Sequence, residues 1–126
     1  MHVLSLKRAY EPATKNDGAR FLVERLWPRG IKKEALQVNA WLKSVAPSTK
    51  LRQWFQHDPT KWAEFRKRYS RELEKNPDAW QPLLNHARRG PVTLVYSAHD
   101  EEHNNAVALK EFLEHRMKVP RNRKAA

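Results

Sequence analysis

Pro91-Val92-Thr93-Leu94-Val95-Tyr96 running into Ser97-Ala98-His99-Asp100 decides the fold. The first six residues are apolar and β-branched almost without interruption, which suits a strand buried on both faces; a strand with one wet face would alternate. The run passes straight into a polar loop and then into helical spacing over residues 102–117. Strand, loop and helix in that order form the unit of open α/β sheets. In such sheets ligands collect beyond the carboxyl ends of parallel strands, where loop amides and helix N-termini converge on anions.

Working outward, two earlier segments read as strands. Residues 3–7, Val-Leu-Ser-Leu-Lys, alternate, whereas residues 20–26 are continuously apolar at Phe21, Leu22 and Val23 and stop at Trp27-Pro28-Arg29-Gly30. Proline and glycine there end regular pairing and turn the backbone. A polar segment with Glu11-Pro12 and Asn16-Asp17-Gly18 joins the two. From Lys32 to Gly90 the spacing is helical, with Leu36, then Trp41, Leu42 and Val45, then Leu51, Trp54 and Phe55, and no strand is expected. Ser48 or Thr49 is positioned to cap a helix that Asp58-Pro59 ends. Residues 60–76 are amphipathic, with Trp62, Phe65, Tyr69 and Leu73 forming a core stripe. Residues 77–89 make a further helix opened by Pro77 and closed by Gly90.

These elements predict one α/β domain over residues 1–126: a small, open, mostly parallel sheet packed with helices, with a helical middle segment between the second and third strands. If those two strands are parallel, their carboxyl ends meet. Periodicity leaves strand order open.

Composition narrows the function classes. The 126 residues are enough for one core, and the absence of cysteine removes disulfides, thiolate metal sites and cysteine nucleophiles. The N-terminus reads as no signal peptide and no run reaches membrane-spanning length, so a cytoplasmic protein without a membrane partner is expected. A formal net charge of +11 favours polyanionic partners. Part of that charge lies in a basic, flexible tail expected from about residue 118, with Arg121, Arg123 and Lys124.

Asp17-Gly18, Glu24-Arg25-Leu26-Trp27-Pro28-Arg29-Gly30, Pro47-Ser48 with Leu51-Arg52, and Leu94-Val95-Tyr96-Ser97-Ala98 with Asn104 together resemble the YeaO-like family, the domain-of-unknown-function family 488. The resemblance runs from about Lys7 to Leu113 and implies a family, not a function. The family pattern often carries aspartate where Glu24 stands and histidine where Asn105 stands.

Three constellations could carry chemistry. Arg25, Trp27 and Arg29, with Arg20 a further member, set guanidinium forks beside an indole, which suits a phosphate or carboxylate attached to a stacked ring. The structural alternative is that Trp27 caps the core and the arginines pair with Glu24 or Asp17. The second group, Tyr96, Ser97, His99, Asp100, His103 and Asn104, arrives in one strand-to-helix connection. Tyr96, Ser97 and Asn104 are its ligand-binding candidates. Asp100, Ser97 and His103 are candidates for catalysis, although Ser97 or Asp100 could equally cap the helix. Ser97 lacks the glycine-flanked elbow of hydrolase nucleophiles, and His99 with His103 lacks a third ligand, so acyl transfer and metal binding are disfavoured. The third, Lys50, Arg52, His57 and Asp58 with Trp54 and Phe55, ranks behind them. Whether a cofactor takes part is not legible. The expected function is binding of a small anionic, nucleotide-like ligand at the strand ends, with catalysis undecided; the alternative is nonspecific nucleic-acid binding through the face of the 61–75 helix and the tail. Oligomeric state is not legible.

Overall fold

The computed structural model of the chain describes residues 4–118. Val3, at the start of the expected first strand, and the basic tail beyond residue 118 lie outside the described residues. In chain order the elements are β1 (Leu4–Arg8), β2 (Ala19–Leu22), α1 (Lys33–Leu36), β3 (Ala40–Trp41), α2 (Thr49–Phe55), α3 (Trp62–Glu74), α4 (Pro77–Arg89), β4 (Val92–Tyr96) and α5 (Asn105–Lys118). Short 3₁₀ turns occupy Lys15–Asp17, Lys43–Val45 and Pro59–Lys61. The four strands form one parallel sheet in the order β1-β4-β2-β3. As expected, the helical stretch carries the chain from one side of the sheet back to its centre, and β2 and β4 lie side by side with both carboxyl ends pointing the same way.

All five residues of β4 are buried, as its composition requires of a central strand. Its alternate side chains feed two cores. Val92, Leu94 and Tyr96 join Phe21, Val23 and the inner faces of α2 to α5. Val95 turns the other way, with Leu22 and Leu36, under a cover of Trp27, Ile31 and Trp41. Helices thus cover one face, and α1 with its flanking loops covers the other.

That second face also holds a buried ionic cluster. The Asp17 carboxylate accepts from Lys7 Nζ at 2.9 Å, Arg20 Nη1 at 2.6 Å, Thr14 Oγ1 at 2.9 Å and the Thr14 amide at 3.1 Å. Arg20 also donates to the Leu36 carbonyl at 2.7 Å. Burial alone would raise the Asp17 pKa, but the donors from Lys7, Thr14 and Arg20 outweigh it and hold the carboxyl far below its ordinary value. Next to it, Gly18 adopts φ +66°, and a Cβ there would sit 2.2 Å from the Pro91 carbonyl oxygen, so only glycine admits this approach of the two segments.

Three expectations need correction. A strand does interrupt the middle third: Ala40 and Trp41 pair with Phe21 and Leu22, and Leu42 begins a 3₁₀ turn, so the apparent helical spacing of Trp41, Leu42 and Val45 is a coincidence of a strand followed by a tight turn. The second strand closes at Leu22, not residue 26: its last backbone bond to β4 runs from the Val23 amide to the Val95 carbonyl at 3.2 Å. The last helix begins at Asn105, not residue 102, because the Asp100 carboxylate takes the amides of Glu102 and His103 in a turn ahead of it. Ser48 is the cap of α2, its hydroxyl accepting from the Leu51 amide at 3.1 Å.

No helix among the described residues is long and apolar enough to cross a membrane.

Candidate functional site

Two loops leave the sheet at adjacent points, one after β2 and one after β4. Because the strands are parallel neighbours, both loops open on the same end, and α2 closes the third side. The resulting cleft is about 600 Å³. That lies within the range of small-ligand sites, roughly 300–1,000 Å³.

The β2 loop supplies Glu24, Arg25, Trp27 and Arg29 to the walls. Arg25 is half-buried and donates through Nε and Nη2 to the Pro47 carbonyl at 3.3 and 3.2 Å, and more weakly to that of Ala46. It therefore ties the β2 loop to the entrance of α2, while its Nη1 has no protein partner among the described residues. Trp27 is also shared between roles: its indole N–H donates to the Ile31 carbonyl at 2.6 Å and its ring packs edge-on against Trp41. Arg29 is exposed, fixed only through its backbone carbonyl, which accepts from the Tyr10 hydroxyl at 3.1 Å. Arg20, by contrast, is 4% exposed and consumed by Asp17 and Leu36, well away from the cleft walls. The expectation that an arginine of this group pairs with Asp17 holds for Arg20.

The β4 loop contributes Ser97, His99, Asp100 and Asn104. Ser97 gives both its amide, at 2.6 Å, and its hydroxyl to Glu24 Oε1. Asp100 Oδ1 accepts from the Glu102 and His103 amides and Oδ2 meets His103 Nδ1 at 2.9 Å. The Glu102 amide and the His103 ring draw its pKa below the ordinary carboxylate value. Asn104 is 1% exposed and caps α5: its Oδ1 takes the Val107 amide and its Nδ2 donates to the Asp100 carbonyl. His103 stands edge-on to Trp62 behind the wall. Tyr96 faces the helices at 3% exposure and is no part of the cleft lining, because strand alternation turns it inward; burial pushes its hydroxyl pKa up.

The third constellation joins the first two. Arg52 and His57, from α2 and its C-terminus, line the same cleft. Gln56 and His57 have φ of +50° and +56°, two successive left-handed residues without glycine, held by the turn in which Asp58 caps Thr60 at 3.0 Å. Lys50, Trp54 and Asp58 stay outside the lining. The two large apolar side chains that are exposed among the described residues, Tyr10 at 48% and Leu26 at 62%, both stand in this lining.

Glu24 is the residue that sequence reasoning undervalued. Its partner Ser97 lies 73 positions away. The available signal was a carboxylate just past the end of a strand whose neighbour ends in a serine. Asn105 likewise bonds across, from Nδ2 to the Val23 carbonyl at 2.8 Å. Among the described residues, no three His, Asp or Glu side chains gather in a way that could hold a metal ion.

The sequence profile of DUF488-N3i, described as the inactive DUF488-N3 subclade, matches residues 3–126. The chain is similar to the uncharacterized protein YeaO of Escherichia coli (strain K12), with 42% identity over 110 residues, 87% of this chain and 96% of that one. It is also similar to the uncharacterized protein Rv3073c of Mycobacterium tuberculosis (strain ATCC 25618 / H37Rv), at 39% over 106 residues, 84% and 89% of the two chains. No solved structure matches. With the profile spanning almost the whole sequence and a 42% identical relative covered over 96% of its length, the chain belongs to the YeaO-like DUF488 family.

Proposed function

We propose that the chain binds a small anionic, nucleotide-like ligand in the cleft at the carboxyl ends of β2 and β4, without turning it over. The observation that carries this reading is the convergence of Arg25, Arg29, Arg52 and His57, from two separate segments, on one concave site. Guanidinium groups form charge-assisted bonds to phosphate or carboxylate, and these strengthen where the walls exclude part of the water. Tyr10 and Leu26 beside them favour a ligand whose other half is a ring or an apolar group.

Binding without turnover is supported by the state of the acid and base candidates. The three candidates for catalysis are Asp100, Ser97 and His103, and a general base or nucleophile must stand within hydrogen-bond reach of the atom it acts on. The Asp100 carboxylate is engaged by its own turn, His103 packs edge-on to Trp62 outside the cleft lining, and the Ser97 hydroxyl is bonded to a carboxylate oxygen that also takes Ser97's own amide. The description of the matched family as inactive agrees.

A thermal-shift panel of nucleotides, phosphorylated sugars and inorganic phosphate at moderate salt tests the reading. A ligand at a hundred times its Kd stabilises the native state by about 2.7 kcal/mol. A nucleotide should therefore raise the melting temperature of the native chain, and a tenfold loss of affinity in Arg29→Ala or Arg52→Ala should cut that stabilisation to about 1.4 kcal/mol at the same concentration. No shift across the panel, or a shift that both variants retain, rejects it.

One observation favours a second reading, nonspecific nucleic-acid binding. Arg66, Lys67 and Arg71 of α3 and Arg116 of α5 line another hollow, about 750 Å³, between those helices. It ranks second because Glu111 and Glu74 in the same hollow pair with Arg66 at 3.2 Å and Arg116 at 3.8 Å. Oligonucleotide affinity that falls steeply with salt and is lost in Lys67→Ala/Arg71→Ala would favour it over the cleft.

A further inference from the structure

We infer that Glu24 selects the ligand: the carboxylate oxygen it leaves open accepts a hydrogen bond from a hydroxyl or amino group of the nucleotide whose phosphate the arginines hold. This rests on the cleft reading above and names the other half of the ligand.

Glu24 is held at both ends. Its backbone carbonyl accepts from Trp41 Nε1 at 2.6 Å, and its Oε1 accepts both the amide and the hydroxyl of Ser97. A long side chain that would otherwise sample many rotamers is thereby fixed across the ends of β2 and β4. The other oxygen, Oε2, has no hydrogen-bond partner among the described residues. No buried side-chain oxygen or nitrogen there lacks a partner, so Oε2 is reachable by solvent, and the residue lines the cleft.

The charges around it make this arrangement selective. Arg25, Arg29 and Arg52 share the cleft, yet none forms an ion pair with Glu24; Arg25 is diverted to the carbonyls of Ala46 and Pro47. The other carboxylate of the lining, Asp100, is closed on both oxygens by its own turn. Glu24 therefore presents the one open carboxylate oxygen among the described lining residues, beside a set of cations that it does not neutralise. A ligand that is only an anion gains from the arginines and is repelled by Glu24. A ligand that carries a donor at a distance from its anionic group satisfies both. Nucleoside monophosphates have that layout, with ribose hydroxyls and, on some bases, an exocyclic amine; both donate to a carboxylate by the same chemistry.

The test is calorimetric titration with inorganic phosphate, AMP, 2′,3′-dideoxy-AMP and purine riboside monophosphate, on the native chain and on Glu24→Gln, Ser97→Ala and Arg29→Ala. The native chain should prefer AMP to phosphate, and one analogue should bind at least about tenfold more weakly than AMP, the dideoxy compound if the ribose donates and the purine compound if the amine does. Glu24→Gln should lower AMP affinity to that of the weaker analogue and leave phosphate binding unchanged or tighter. Ser97→Ala keeps the carboxylate and frees its rotamer, so it should give a smaller loss in the same direction and serves as the probe if Glu24→Gln folds poorly. Native affinity for AMP in both Glu24→Gln and Ser97→Ala, with Arg29→Ala still losing it, overturns the inference and leaves the cleft reading standing. Equal affinity of the native chain for all three nucleotides overturns it as well. No binding of AMP or phosphate to the native chain removes both.

Discussion

Arg20 and Arg29 are nine positions apart on one strand-and-loop segment, and the fold gives them opposite fates. Arg20 is almost wholly covered, with its guanidinium closed on Asp17 and on the Leu36 carbonyl. Arg29 is exposed at the cleft and is positioned only by its backbone. A buried guanidinium must find carboxylate and carbonyl partners or it destabilises the fold, whereas an exposed one in a concave site retains its donors for a ligand. The same residue type thus reports stability in one place and recognition in the other, and the partner set distinguishes them.

The largest expected effect breaks the buried side of this comparison. Asp17→Ala leaves Arg20 and Lys7 without their shared carboxylate and should cost about 3–5 kcal/mol, against a change within about 0.5 kcal/mol for Arg29→Ala. Urea denaturation of both variants measures this; equal losses would erase the distinction. Gly18→Ala, which drives a Cβ onto the Pro91 carbonyl beside the same cluster, should cost about 2–3 kcal/mol in the same assay. On the cleft side, Arg52→Ala should keep its melting temperature and lose about tenfold in nucleotide affinity, or about 1.4 kcal/mol; a loss of stability without loss of affinity would move Arg52 to the structural class. The smallest effect is a slope. Because the folded-state pKa of Asp17 is depressed below 3.8, the stability it contributes is fully present above about pH 4 and is lost as pH falls below that value. The unfolding midpoint should therefore decline on acidification below pH 4, and Asp17→Asn should flatten that decline while Arg29→Ala leaves it intact.

What was legible in the sequence follows the range of the interactions. The burial of β4, the stripe of Phe65, Tyr69 and Leu73 on α3, and the Ser48 cap are local patterns, and each stands as read. The meeting of the β2 and β4 ends was legible only as a condition on the two strands being parallel, and strand order, which makes them neighbours, has no local signal. β3 was not, since two residues carry no period and the pairing of Ala40 with Phe21 is set by the sheet. Among the site candidates, Arg25, Trp27, Arg29, Ser97 and Asn104 do come together in the cleft wall, the Asn104 side chain being taken by helix capping, while Tyr96 is turned away by strand alternation. Arg52 and His57 reach the cleft only through the packing of α2, and Glu24 only through a serine on another strand. No local pattern contains those distances.

The strand order also sets a timetable for the newly made chain. β1 and β2 never pair with each other; each is hydrogen-bonded to β4, whose residues 92–96 are among the last of the sheet to be synthesised. Until those residues leave the ribosome, both early strands lack the neighbour that joins them, and the middle helices have only the two-residue β2–β3 pairing to cover. Closing contacts across some ninety positions, as between Leu4 and Val92, is slow compared with forming helices. A nascent chain stopped before residue 91 should therefore hold helices without the central strand that completes the sheet and be the species most in need of a chaperone.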